Sequence, residues 1–95
     1  MRTPLSDIEI QRELGSLPGW ARRGSALTKT YSFPTFAAGI AFVGRVADIA
    51  DAMDHHPDID IRYTKVTLNL STHEPKGITR MDVNLADRIE KTAEA

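Results

Sequence analysis

Apolar residues recur along this chain at helical spacing in three places and alternate with polar ones in others. Phe36, Ile40, Val43, Ala47 and Ala50 follow the helical period, and Phe42, Val46, Ile49 and Met53 form a second stripe beside them. The pattern predicts a long helix from Phe36 to about Met53, N-capped by Thr35 after the strand-closing Pro34. It ends before Pro57, which pushes His56 out of helical geometry. Gly39 and Gly44 each cost roughly 1 kcal/mol against alanine in a helix interior, so close packing on a sheet or partner helix is expected there. Upstream, Ser6-Asp7-Ile8-Glu9 reads as a capping box, and Leu5 and Ile10 have the spacing of a hydrophobic staple. That helix runs to about Leu14, where Gly15 stops it.

Trp20 to Arg23 and Leu27 to Phe33 read as strands joined through Gly24-Ser25. In the second, Leu27, Lys29 and Tyr31 alternate with Thr28, Thr30 and Ser32, so its inner face is only partly defined. A third strand covers Ile59 to Tyr63, and a fourth runs from Lys65 or Val66 to Thr72. There Val66, Leu68 and Leu70 point one way, and Thr67, Asn69, Ser71 and His73 the other. Pro75-Lys76-Gly77 reads as a loop. Thr79 caps a last helix that carries Met81, Leu85 and Ile89 one turn apart, with Val83 and Ala86 nearby. The order α-β-β-α-β-β-α predicts an α+β fold: a four-stranded antiparallel sheet with helices packed on one face.

Length and composition narrow the function. Ninety-five residues, 41% hydrophobic and 26% charged, suit one globular domain spanning 1–95. Twelve basic and thirteen acidic residues give a net charge of −1, which argues against nucleic acid held by charge. The absence of cysteine excludes disulfides, thiolate zinc sites and cysteine nucleophiles. The longest largely apolar run, Phe33 to Gly44, falls well short of the roughly 20 residues of a membrane span. Acids stand where a signal peptide would be apolar. A cytoplasmic protein with no membrane and no nucleic-acid partner is the expectation.

All three histidines lie in Asp54-His55-His56-Pro57 and Ser71-Thr72-His73, at a helix end and a strand end. Two such ends that converge at a sheet edge make a place for a small molecule. Imidazole exchanges protons near neutral pH, so general acid–base catalysis is the chemistry this permits. Asp51, one helical turn before His55, is placed to orient it. Blander explanations stand beside this. Adjacent histidines at a helix end also serve as solvated caps that favour the helix dipole. A three-histidine metal site is disfavoured, because neighbouring histidines splay apart on a helix. Trp20 reads as core, Arg22-Arg23 as a solvated edge, and Asp82 fits a dipole-complementing place in the first turn of the last helix.

The spacing Asp51-x-x-x-His55-His56-Pro57, then Tyr63, His73 and Asp82, resembles the signature of the pterin-4a-carbinolamine dehydratase family. The flanks agree: Gly19-Trp20, Tyr31-Ser32-Phe33, Val66 through Glu74, Gly77-Ile78-Thr79, and Asp82-Val83-Asn84-Leu85-Ala86. The resemblance runs from about Gly19 to Glu90. It implies loss of water from 4a-hydroxytetrahydropterin to give quinonoid dihydropterin, downstream of an aromatic amino acid hydroxylase. It implies His55 and His73 as the acid–base pair, with His56 completing the catalytic set and contributing more to substrate binding. Asp51, Ser71, Thr72 and Asp82 take supporting, substrate-binding roles. No metal and no cofactor is implied. Many members have an aromatic residue soon after the His-His-Pro, where this chain has Asp58-Ile59-Asp60-Ile61; isoleucine can pack on a pterin face but cannot stack.

Relatives in this family also act as dimerisation cofactors of a homeodomain transcription factor or in assembly of other enzymes. A non-catalytic protein-interaction role is therefore the alternative function. Such relatives commonly lack part of the histidine set, and this chain keeps all of it. The open sheet edges and the wide apolar face of the long helix predict a homodimer or homotetramer.

Overall fold

The structure, a computed structural model, describes residues 3–94; residues 1, 2 and 95, the ends of the expected 1–95 domain, lie outside the described residues. The chain runs α1 (Asp7–Leu14), β1 (Ala21–Arg23), β2 (Ala26–Ser32), α2 (Phe36–Met53), β3 (Asp58–Arg62) and β4 (Lys65–Leu70). Two short strands, β5 (Thr72–His73) and β6 (Lys76–Gly77), precede α3 (Arg80–Glu94). Strands β1 to β4 form one antiparallel sheet in the order β1-β2-β4-β3, which leaves β1 and β3 as its edges. The fold is thus the α+β arrangement that the alternation predicts, with one added hairpin.

That hairpin corrects the sequence expectation. The segment Pro75-Lys76-Gly77 is not all loop, because Lys76 pairs with His73 and Gly77 with Thr72. The alternation of β4 continues in side-chain terms through residue 73, so Val66, Leu68, Leu70 and Thr72 are all buried. The ladder itself stops at Leu70, and after Ser71 the chain folds back across a tight turn at Glu74-Pro75. Side-chain periodicity alone cannot reveal a change of backbone partner.

Each helix begins as its cap dictates. Ser6 and Glu9 form the reciprocal capping box, and Leu5 and Ile10 both pack into the core. The Thr35 side chain accepts the Ala38 N–H at the start of α2. The inner stripe of α2 is Gly39, Phe42, Val46 and Ala50, with Val43, Ile49 and Met53 partly buried beside it. Phe36 and Ile40 are left exposed, so the face that packs is narrower than the apolar face the sequence carries. Of the two helix glycines, only Gly39 packs against the sheet, beside Phe33 and Val66. A Cβ on Gly39 would sit at ordinary contact distance, 3.4 Å from Phe33, and one on Gly44 would meet nothing within 4 Å.

The ambiguous face of β2 resolves through one partly buried ion pair. Leu27, Lys29 and Tyr31 stand opposite Leu70, Leu68 and Val66, so all three point to the core side. Lys29 is tolerated there because its ammonium donates to Glu90 and, at 2.8 Å, to the Pro18 carbonyl. Glu90 Oε1 also accepts from the Tyr31 hydroxyl and, at 3.2 Å, from the Trp20 indole N–H. Burial pushes the Glu90 carboxyl up, but the Lys29 and Tyr31 hydrogen bonds, the Lys29 charge and the Trp20 N–H outweigh it. Its net pKa lies below the usual glutamate range. A depressed folded-state pKa means a contribution present in full above the ordinary glutamate value and lost as pH falls through the depressed one. Glu90→Gln is expected to cost about 2 kcal/mol at neutral pH by leaving Lys29 without its counter-ion. Urea unfolding of both proteins across the acid range should show that the variant lacks this acid-sensitive part of the stability.

Candidate active site

The site starts from how α2 ends. Asp54 adopts the left-handed conformation, φ 50 and ψ 44, and its N–H reaches the carbonyls of Ala50 and Asp51. The His55 N–H bonds the Ala50 carbonyl at 3.1 Å, which completes a Schellman closure. Aspartate is among the few residues other than glycine that visit this region routinely. The helix therefore stops at Asp54, before Pro57 can act on it. The reversal separates two neighbouring histidines: His55 turns into the protein, only 5% exposed, while His56 stays at the surface.

His55 Nε2 lies 2.6 Å from Asp82 Oδ1, in a pair where Asp82 is fully buried. The other carboxylate oxygen, Oδ2, accepts from the Thr72 hydroxyl at 2.9 Å and from the Thr79 N–H at 2.9 Å. Thr72 and Thr79 hydroxyls are 2.8 Å apart. Thr79 caps α3 by accepting the Met81 N–H at 3.3 Å. Asp51, expected to orient His55, instead meets His56, with Nε2 to Oδ1 at 2.9 Å. The one-turn spacing to His55 would hold only if His55 continued the helix, and the left-handed Asp54 takes it out of that frame.

His55, His56 and His73 line one cavity of about 440 Å³, together with Ser71 and Pro57. Asp54, Asp58 and Glu74 supply its acidic rim. Asp51, Thr72 and Asp82 are not among its lining residues: Asp51 stands beside His56, and the other two lie buried behind His55. Tyr63, a member of the signature, sits in the β3–β4 turn at φ 52, exposed and apart from the cavity lining. Ile59 and Ile61 do not line it either; they stand on edge strand β3 opposite Leu68 and Val66. The isoleucines therefore do not replace an aromatic against a ligand in this cavity. Asp54, Asp58 and Glu74 escaped the sequence reasoning, since lone acids in turns or at a strand start look like ordinary solvated surface.

The two adjacent histidines should differ sharply in what they contribute to stability. His55→Ala leaves the Asp82 carboxylate buried without its partner and is expected to destabilise by about 3 kcal/mol. His56→Ala removes an exposed pair and should change stability by no more than about 0.5–1 kcal/mol. Chemical denaturation of the two variants measures the difference.

Comparison with known proteins places the chain in a family. The family model described as pterin 4 alpha carbinolamine dehydratase matches residues 3–92. A protein of Roseiflexus sp. (strain RS-1), provisionally named pterin-4-alpha-carbinolamine dehydratase, is 52% identical over 91 residues, covering 96% of this chain and 98% of its own. A provisionally named dehydratase of Mycolicibacterium smegmatis is 48% identical over 87 residues, 92% of this chain and 93% of its own. A crystal structure from Brucella melitensis, titled a transcriptional coactivator/pterin dehydratase, superposes with a TM-score of 0.92 at 29% identity. That match covers 96% of this chain and 99% of the other. A pterin dehydratase-like RuBisCO assembly factor of the alpha-carboxysome shares the fold, with a TM-score of 0.69 at 22% identity over 81% of this chain and 92% of its own. With nearly its whole length matched, this chain belongs to the pterin 4 alpha carbinolamine dehydratase family.

Proposed function

We propose that this protein catalyses the dehydration of 4a-hydroxytetrahydropterin to quinonoid dihydropterin. The observation that carries the proposal is the meeting of His55, His56 and His73 at one cavity in a chain of this family. The cavity is of the size that small-molecule clefts have, about 300–1,000 Å³. In the reaction the bond from ring carbon 4a to its hydroxyl oxygen breaks. The hydroxyl takes a proton and leaves as water, the neighbouring ring nitrogen gives up its proton, and a carbon–nitrogen double bond forms between them. One proton is delivered and one removed, a task for two groups that titrate near neutrality. His55 and His73 take these two places. His56, more exposed and held by Asp51, acts with Ser71 on substrate binding. An aromatic amino acid hydroxylase in the same cytoplasm would supply the substrate.

A stopped-flow assay on chemically prepared carbinolamine tests the proposal. His73→Ala is expected to lower the dehydration rate by roughly 10²-fold, the usual scale for one acid–base group. Because His73 is exposed on the short strand β5, its loss should change stability by no more than about 0.5 kcal/mol. Near wild-type turnover in a folded His73→Ala protein would remove His73 from the mechanism, and no acceleration by the wild type would remove the reaction.

A non-catalytic, protein-binding role is the second reading, favoured by one observation. Phe36 and Ile40 on α2, and Ile59 and Ile61 on edge strand β3, stand exposed. We assign these exposed apolar residues first to contact with another copy of the chain, as a homodimer or homotetramer. Light scattering at micromolar concentration should give at least twice the 10.5 kDa chain mass, and Ile59→Lys with Ile61→Lys should shift the species toward the monomer. A wild-type monomer would leave the surface to a different protein partner.

A further inference from the structure

The hydrogen bonds around Asp82 have only one consistent direction. Thr72 has a single hydroxyl proton, and it goes to Asp82 Oδ2, since an ionised carboxylate has none to give. The 2.8 Å contact between the threonines must then be Thr79 donating to the Thr72 oxygen. This agrees with the Thr79 oxygen accepting the Met81 N–H. The Thr79 N–H also donates to Asp82 Oδ2. Oδ2 is thus met by two donors, and Oδ1 is turned to His55 Nε2 at 2.6 Å. The proton in that bond belongs to the imidazole.

We infer that Asp82 is a positioning residue that fixes His55 as its Nε2–H tautomer, leaving Nδ1 as the nitrogen that exchanges protons with a ligand in the cavity. Thr72 and Thr79 share the role, because they fix which carboxylate oxygen faces the ring. This departs from a substrate-binding role for Thr72 and Asp82, neither of which lines the cavity. Nε2 carries its proton whether His55 is neutral or charged, so every proton gained or lost passes through the other nitrogen. The remaining titratable groups at this cavity are Asp54 and His56 at the end of α2, Asp58 on β3, and His73 and Glu74 on the β5–β6 hairpin. Of these, His56 is turned to Asp51 at 2.9 Å.

The inference predicts an inversion on one isosteric change. In Asp82→Asn the position of Oδ2, met by two donors, must hold the amide oxygen. The amide NH₂ then points at His55 Nε2, which can accept only by giving up its proton to Nδ1. Long-range ¹H–¹⁵N correlation spectra of the full chain, with His56→Gln and His73→Gln used for assignment, report the tautomer of neutral His55 directly. The wild type should show the Nε2–H form and Asp82→Asn the Nδ1–H form. A merely structural Asp82 would leave the tautomer unmoved. An Nδ1–H form in the wild type, or an Nε2–H form in folded Asp82→Asn, overturns the inference; the wild-type spectrum decides even if the variant does not fold.

The kinetic consequence rests on the proposed dehydration. Turnover of Asp82→Asn should fall by about 10²-fold or more, with KM little changed. Inverted tautomers with undiminished turnover would overturn the assignment of Nδ1 as the exchanging atom. The spectra do not depend on the reaction, so an inactive wild type with the stated tautomers would reject the dehydratase proposal and leave the positioning role of Asp82 supported.

Discussion

The buried carboxylate of Asp82 is the constraint on which the site depends. A charge without solvent is tolerated only where donors surround it, and here each donor comes from a different part of the chain. His55 arrives from the end of α2, Thr72 from β5, and the Thr79 N–H from the cap of α3. One group thereby joins three elements that share no backbone ladder. The same helix carries a second buried carboxylate, Glu90, met by Lys29, Tyr31 and Trp20 from the β1–β2 side. Eight residues separate the two, about 12 Å along the helix. Helix α3 is thus held at two points by ionic hydrogen bonds, with Leu85, Ala86 and Ile89 filling the apolar stretch between them.

Much of this architecture was legible in the chain. Caps such as Ser6 with Glu9, and Thr35, are local signals that act within four residues, and they mark helix starts well. The period-two run from Val66 to Thr72 shows its inner face directly, because the central strand is covered on one side only. What stayed hidden depends on partners far apart in sequence. Lys29 looks like a solvent residue until Glu90 is brought beside it, 61 residues later. The packed stripe of α2 could not be told from the exposed one, since both are apolar and only the position of the sheet distinguishes them.

For the candidate site, residue types pointed to one cavity but not to the pairings within it. Three histidines at a helix end and a strand end were visible from spacing, whereas the partners of His55 and His56 were not. Asp51 pairs with His56 rather than His55 because Asp54 turns left-handed, a backbone choice that helical spacing does not encode. Asp82 looked like an ordinary acid in the first turn of a helix. It does serve that end of α3, yet one oxygen is directed through the protein to an imidazole from another element. A residue can satisfy a local rule and a distant one at once, and the local rule conceals the second.

The closure of α2 also shapes the electrostatic landscape a ligand meets. A helix C-terminus carries roughly half a negative charge, and the Asp54 closure brings that end to the cavity. The Asp54, Asp58 and Glu74 carboxylates add to it, and the histidines are the only cation-forming side chains in the lining. Three carboxylates thus face three imidazoles around the mouth. Neutral or protonated heterocycles approach such a mouth without penalty. Phosphorylated or polycarboxylated ones are repelled, by an amount that added salt reduces. The turn that directs His55 inward therefore also brings the negative end of α2 to the cavity.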